Sequence, residues 1–131
     1  MGTIKVVSLS LGSSKRDKLT NLKLEDFDIY ISRIGVDGDY YVFKKMIKKL
    51  QESDIDSIGL GGTDIFLFIE DKKYIIKDSF NLAKLSYKKS IFDGSIVKNI
   101  IEKKIIQNLI NQGIINNKQT VLQVSSLDRF S

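Results

Sequence analysis

The chain has 131 residues, 42% of them hydrophobic and 28% charged, which is the size and balance of one globular domain. It contains no cysteine and no histidine, so disulfides, thiolate metal sites, a cysteine nucleophile and every Ser-His-Asp arrangement are excluded. The formal charge of +5 favours an anionic partner, but the lysines are scattered without interleaved aromatic residues, so a solvated basic surface is favoured over nucleic-acid binding.

The first half of the chain alternates strand-like and helix-like patterns. Three runs of apolar or alternating residues predict strands at 4–11, 27–34 and 55–60. Residues 15–26 are polar with scattered leucines, and we interpret them as a loop with at most one short strand. Apolar residues at helical spacing predict a helix at 39–52, and a carboxylate of Asp37 or Asp39 can cap its first turn.

The second half is predicted to contain a hairpin, two helices and a last strand. A short helix begins at Asp78 or Ser79, and Gly113 is placed to end the longer helix. The other predicted boundaries are 64–77 for the antiparallel hairpin, 94–112 for the long helix and 120–124 for the last strand.

Strands that feed helices in this order are typical of α/β proteins. The pattern predicts a three-layer α/β/α sandwich with a mainly parallel, Rossmann-like sheet and one antiparallel hairpin, formed by residues 1–131 as a single domain. The last predicted strand runs into a Ser/Asp loop that should lead to another helix, so we expect the chain to be the N-terminal part of a longer protein. The expected core contains Val6, Leu9, Ile31, Phe43, Ile47, Leu60, Ile100 and Val124.

Polar loops follow the predicted strands, and the carboxyl ends of parallel strands meet at one edge of a sheet. We therefore expect a polar, anion-accepting crevice formed by the loops at 12–16, 35–39, 61–64, 93–95 and 125–129. Their candidate ligand-binding residues are Gly12, Ser13, Ser14, Lys15, Arg16, Asp37, Gly61, Gly62, Thr63, Asp64, Asp93, Gly94, Ser95 and Asp128. No catalytic residue is assigned.

Each of these loops also has a purely structural interpretation. The segment 12–16 offers main-chain N–H groups, hydroxyls and two cations to an anion, or is a solvated turn. The segment 59–64 resembles the opening of G-x-G-x-x-G, but a hairpin is predicted after it, so a tight bend is equally favoured. Residues 93–95 cap the long helix, present its positive end to an anion, or do both.

Five aspartates in the strand-end loops raise the further alternative of a magnesium site, since Mg²⁺ takes carboxylate oxygens. Turn chemistry alone enriches aspartate at such positions, and that interpretation is favoured, so no metal is predicted. The five are Asp37, Asp39, Asp64, Asp93 and Asp128.

Taken together, several segments resemble the front portion of a clostridial family named for quinate 5-dehydrogenase. The segments are 6–17, 33–39, 59–64, 93–95 and 126–130. The resemblance implies an oxidoreductase that uses NAD or NADP on a hydroxylated cyclic acid. Ser8-Leu9-Ser10 matches the letters of the Ser-x-Ser substrate-carboxylate motif, but Leu11 replaces its proline. The catalytic Lys/Asp pair of such enzymes matches no motif here, and a complete dinucleotide fingerprint is absent.

Two classes of function stay open. The resemblance implies that the chain is part of a dehydrogenase. We expect this part to be inactive by itself. The alternative is a non-catalytic α/β domain that binds a small anionic metabolite or nucleotide, and formation of a homo-oligomer is left open. No apolar run reaches membrane-spanning length and no secretory signal is visible, so we expect a cytoplasmic protein.

Overall fold

The computed structural model describes residues 2–69 and 72–122, with Asn99 described by its backbone. Two groups of three strands are each followed by a helix, and a seventh strand leads into the last helix. In chain order the elements are β1 (Gly2–Ser10), β2 (Lys18–Leu24), β3 (Phe27–Gly35), α1 (Tyr40–Leu50), β4 (Ser57–Gly61), β5 (Phe66–Ile69), β6 (Lys72–Ile75), α2 (Lys77–Ala83), β7 (Ser90–Phe92) and α3 (Ser95–Asn111).

Five of the strands form one mixed sheet in the order β2-β3-β1-β4-β7. β1 pairs in parallel with both β3 and β4, and β7 pairs in parallel with β4. β2 is antiparallel to β3 and forms one edge. β5 and β6 form a separate antiparallel hairpin, and the predicted turn residues Glu70 and Asp71 lie outside the described residues.

The prediction of a three-layer Rossmann-like sandwich is wrong. Both α1 and α2 pack on the same face of the sheet, where their side chains join one apolar cluster with β1 and β4. Among the described residues no helix covers the other face, and α3 packs against β5. An antiparallel edge strand also makes the sheet mixed rather than Rossmann-like.

β2 is the element that the sequence pattern missed. Its three leucines, Leu19, Leu22 and Leu24, do not keep the period of two that marks a half-buried strand, and all three are exposed. The strand forms because its main chain pairs with β3 over seven residues. A turn at Glu25, whose φ of 51° is left-handed, connects the two strands.

The core lies between the sheet and the pair α1 and α2. The side chains of Leu9, Phe43, Ile47 and Leu60 are buried, as predicted. The full buried set is Val7, Leu9, Val36, Phe43, Ile47, Leu50, Ile58, Leu60, Ile65 and Leu82.

Three other expected core residues lie elsewhere. Val6 and Ile31 are only half-buried because they are on the sheet face that no helix covers. Ile100 is 49% exposed on α3, a helix whose isoleucines point in all directions. Val124 lies outside the described residues, as does part of the last predicted strand, and residues 120–122 form no strand.

Helix boundaries follow local chemistry. The Asp39 side chain accepts hydrogen bonds from the N–H groups of Tyr41 (2.8 Å) and Val42 (3.0 Å) and so starts α1. Gly113, with φ of 72°, follows the end of α3 as a C-terminal glycine does. None of the described helices is long and apolar enough to cross a membrane.

A buried glutamine joins α1 to the loop that leads into β7. Gln51 is 1% exposed, and its Nε2 donates to the Ile47 carbonyl (2.8 Å). Its Oε1 accepts the main-chain N–H groups of Tyr87 (3.0 Å), Lys88 (2.9 Å) and Lys89 (3.1 Å). This one side chain therefore satisfies three loop donors that would otherwise lack a partner.

We expect Gln51→Ala to lower the free energy of unfolding by about 2 kcal/mol, because it leaves three partly buried main-chain donors without their acceptor. Chemical denaturation measures the loss. Gln107→Ala, at an exposed position of α3, is the matched control and should change stability by less than about 0.5 kcal/mol. Equal stability of the two variants would contradict the role assigned to Gln51.

Candidate functional site

The loops after β1, β3 and β4 are joined by main-chain hydrogen bonds that continue beyond the strand ends. Leu11 N–H donates to the Gly61 carbonyl (2.9 Å), and Gly38 N–H donates to the Leu11 carbonyl (2.8 Å). Asp37 N–H donates to the Gly12 carbonyl (3.1 Å). The structure thus brings together residues 12–16, 35–39 and 61–64, while 125–129, with Asp128, lies outside the described residues.

The loop at 12–16 differs from the open anion cradle that its sequence suggests. The carboxylate of Asp37 accepts hydrogen bonds from the N–H (2.8 Å) and the hydroxyl (2.7 Å) of Ser14. The Ser13 hydroxyl accepts the Lys15 N–H (3.2 Å) and caps a short 3₁₀ turn. The Ser14 groups therefore serve a carboxylate of the protein itself, and their hydrogen bonds lower the pKa of Asp37.

Gly35 allows the first two loops to lie in contact. A Cβ at this position would lie 2.6 Å from both the carbonyl carbon and oxygen of Ser13, which no side chain permits. The Gly35 N–H donates to an Asp17 carboxylate oxygen at 2.7 Å. The glycine at the end of β3 is therefore required by the close approach of two main chains.

Two guanidinium groups meet beside Gly12. The position of a Cβ on Gly12 would be 2.6 Å from Nη2 of Arg16 and 3.2 Å from Nη2 of Arg33. The Ser10 hydroxyl is 3.2 Å from the same point. We call Arg16 and Arg33 the arginine pair.

The two members of the arginine pair differ in their partners. Nη1 of Arg33 donates to the Ser13 carbonyl (2.9 Å) and to Asp17 (2.9 Å). Arg16 is exposed, and within residues 2–69 and 72–122 its guanidinium has no hydrogen-bond or ion-pair partner. The pair therefore carries one positive charge that the described residues leave uncompensated.

The loop at 61–64 is a tight bend. Gly62 has a φ of 72°, and a Cβ there would lie 3.2 Å from Cβ of Leu11 and 3.3 Å from the Gly12 nitrogen. Its glycines thus permit close packing against the β1 loop. The Thr63 hydroxyl contacts the buried hydroxyl of Ser79 and joins this bend to α2.

Asp93 connects the end of β7 to the start of β5. Its carboxylate accepts the N–H groups of Ile65 (2.6 Å) and Phe66 (3.0 Å) and the Ser95 hydroxyl (2.7 Å). Burial alone would raise the pKa of Asp93, but these hydrogen bonds outweigh it and the net shift is downward. Asp93 is thus structural, while Gly94 occupies the N-cap position of α3.

A lysine that the sequence analysis did not select lies at the same edge. Lys98, one turn into α3, forms a partly buried ion pair with Asp64. The pair joins α3 to the loop after β4. Lys98 follows Ser95 by three residues, and that spacing on a helix is the signal that could have identified it.

The magnesium alternative has no support in the described residues, where no group of three or more Asp, Glu, Cys or His side chains could hold a metal ion. Each of the four described strand-end aspartates has its own protein partner. These partners are Ser14 for Asp37, the start of α1 for Asp39, Lys98 for Asp64 and the start of β5 for Asp93.

A groove of about 540 Å³ lies between the two helices on the covered face. It has the volume of a small-molecule pocket, and none of the predicted site residues lines it. Its lining residues are Tyr40, Lys44, Asp78, Asn81, Leu82 and Leu85.

The structure is thus a mixed α/β domain in which the arginine pair lies beside the joined loops at the carboxyl ends of the strands. The chain belongs to a family described as a domain of unknown function, DUF8753, whose model matches residues 5–93. That range extends from β1 to the end of β7. No curated protein and no solved structure matches the chain. The resemblance to quinate 5-dehydrogenases therefore stays a prediction.

We expect Asp93→Asn to lower the free energy of unfolding at pH 7 by about 1 kcal/mol, because main-chain donors lose a charged acceptor that is partly screened by solvent. Folding lowers the pKa of Asp93, so its contribution to stability is complete above the ordinary pKa of about 3.9 and is lost as the pH falls through the folded pKa. The difference from the wild type should shrink in acid.

Urea denaturation at pH 7, 5 and 3 tests this expectation. Asp26→Asn, in the exposed turn between β2 and β3, is the control and should leave stability unchanged at each pH. A difference between Asp93→Asn and the wild type that stays constant from pH 7 to pH 3 would refute the assignment.

Proposed function

We propose that this domain binds a small anionic metabolite or nucleotide at the arginine pair. The observation that carries the proposal is the meeting of the Arg16 and Arg33 guanidinium groups beside Gly12. Asp17 compensates the charge of Arg33, and an anion beside Gly12 would compensate the charge of Arg16 while lying next to both guanidinium groups. Guanidinium groups also bind phosphate and carboxylate through paired, charge-assisted hydrogen bonds.

The place of the pair in the fold supports the same proposal. In sheets of mainly parallel strands, ligands bind outside the carboxyl ends of the strands. Ser10 ends β1, Arg33 lies two residues before the end of β3, and Arg16 lies in the loop between β1 and β2. Arg33 is held by Ser13 and Asp17, so one guanidinium is fixed while Arg16 can adjust to the ligand.

A nicotinamide dehydrogenase is the second candidate, and one observation favours it. The ion pair of Asp64 and Lys98 has the residue types of the catalytic pair that the resemblance implies, and it lies at the strand-end edge. The described residues do not fit NAD or NADP in the usual way, because the glycine loop 59–62 leads into the hairpin β5–β6 instead of a helix. Binding without chemistry is therefore the primary proposal.

We expect inorganic phosphate and quinate to bind the wild-type chain measurably in calorimetric titration, with affinity that falls as salt is added. Arg16→Gln should weaken binding by about tenfold or more, since it removes the uncompensated charge. Lys15→Gln is the matched control, because it removes the same charge one residue away and should weaken binding by only about twofold. Equal effects of the two substitutions, or no binding by the wild type, would refute the site.

We expect no NAD(P)H production when the chain is incubated with quinate or shikimate and either cofactor. Hydride transfer needs cofactor and substrate held face to face with a base, and the described residues offer no dinucleotide loop. Absorbance at the nicotinamide band measures turnover. Turnover that is lost in Asp64→Asn would establish the second candidate in place of the first.

A further inference from the structure

One face of the five-stranded sheet is uncovered in the part of the chain that the structure describes. We define the open face by the side chains of Ile4 and Val6 on β1 and of the residues in register with them. Ile29 and Ile31 are their partners on β3, and Leu22 is the partner of Ile29 on β2. The opposite face carries Val7, Leu9 and their partners, on which α1 and α2 pack.

The open face is apolar and exposed. Leu22 is 51% exposed, Leu24 62%, Phe27 44% and Phe92 61%. Over β4 the face is flat, since a Cβ on Gly59 would meet only Cα of Ser8 at 4.0 Å. Parallel strands are normally buried on both faces, so this sheet requires a cover.

Charge on the open face is confined to one end. The register of the five strands places two charged residues, Lys18 and Arg33, on the open face. They are paired neighbours near the carboxyl end of β3. The rest consists of apolar residues, serine, threonine and glycine. A partner can therefore cover the centre of the face without burying an unpaired charge.

A second sheet of the same kind would cover this face, whose flat area is smaller than that of a standard interface before the relief of its side chains is added. Strands about 4.8 Å apart that rise ~3.3 Å per residue give these five strands a flat footprint of roughly 500 Å², and more with side-chain relief. A stable interface buries about 800 Å² on each partner. Two sheets pack face to face about 10 Å apart, and a two-fold axis makes one patch complementary to itself.

We propose that two copies of this chain associate through their open faces to form a symmetric dimer with a sandwich of two sheets at its centre. The interface is an isologous one in which β1 and β3 are central and Leu22 of β2 packs beside its neighbour Ile29. Arg16 lies in the loop beyond the end of the sheet, while Arg33 lies on the open face at its charged end, away from the apolar centre of the interface.

Two leucines of β2 provide a matched test. Leu22 is on the open face and Leu19, 65% exposed, is on the opposite face of the same strand. In sedimentation equilibrium, the wild type should be a dimer and Leu22→Lys should raise its dissociation constant by about 100-fold or more, since a lysine ammonium would leave water. Leu19→Lys should leave the dissociation constant within about twofold of the wild type.

Both substitutions are at exposed positions, so we expect both variants to fold. Circular dichroism and denaturation midpoints test this. A wild-type chain that is monomeric up to its solubility limit would overturn the proposal. Equal weakening by the two lysines would also overturn it, because it would assign the contact to the free edge of β2. A chain that is dimeric in all three forms would place the interface elsewhere.

Discussion

The central position of β1, flanked in parallel by β3 and β4, is the constraint on which the site depends. Because both neighbours run in the same direction, their three loops emerge side by side. Main-chain hydrogen bonds from Leu11 to Gly61 and from Val36 to Ser10 then continue the ladders past the strand ends. Loops tied in this way have few conformations open to them, and the glycines at 35 and 62 are where the main chains approach most closely.

The direction in which the chain crosses the sheet explains the uncovered face. From β3 to β4 and from β4 to β7 the chain moves towards the same edge. Right-handed crossovers that move in one direction place their helices on one face, so α1 and α2 both cover the side of Val7 and Leu9. From β1 the chain first moves towards the opposite edge, but that connection consists of a 3₁₀ turn and the antiparallel strand β2, so it places no helix on the other face. Strand order is a tertiary property that hydrophobic periodicity does not encode, which is why the three-layer prediction failed.

Local patterns predicted local structure well. The strands at 4–11, 27–34 and 55–60, the hairpin and the helix that Asp39 caps lie close to their expected positions. β2 was missed because an edge strand exposes both faces and has no apolar period to detect. Strand pairing is what brings Asp37 to Ser14, which is 23 residues away in the sequence. It also brings Arg33 to the loop after β1. An arginine at the position where the alternation of Phe27, Ile29 and Ile31 calls for an apolar residue was the available signal for Arg33.

Carboxylates of the protein itself already accept many of the hydrogen-bond donors at the strand-end edge, which limits where a ligand anion can bind. The donors of an anion site were predicted at Ser14 and at the start of the long helix, and in both places an aspartate already accepts them. A ligand anion would have to displace Asp37 or Asp93, each of which has a lowered pKa and is therefore charged at neutral pH. The arginine pair differs, because Asp17 engages Arg33 while Arg16 retains its charge towards solvent. Internal anions thus occupy the other candidate positions, which is why the proposed anion site is the one beside Gly12.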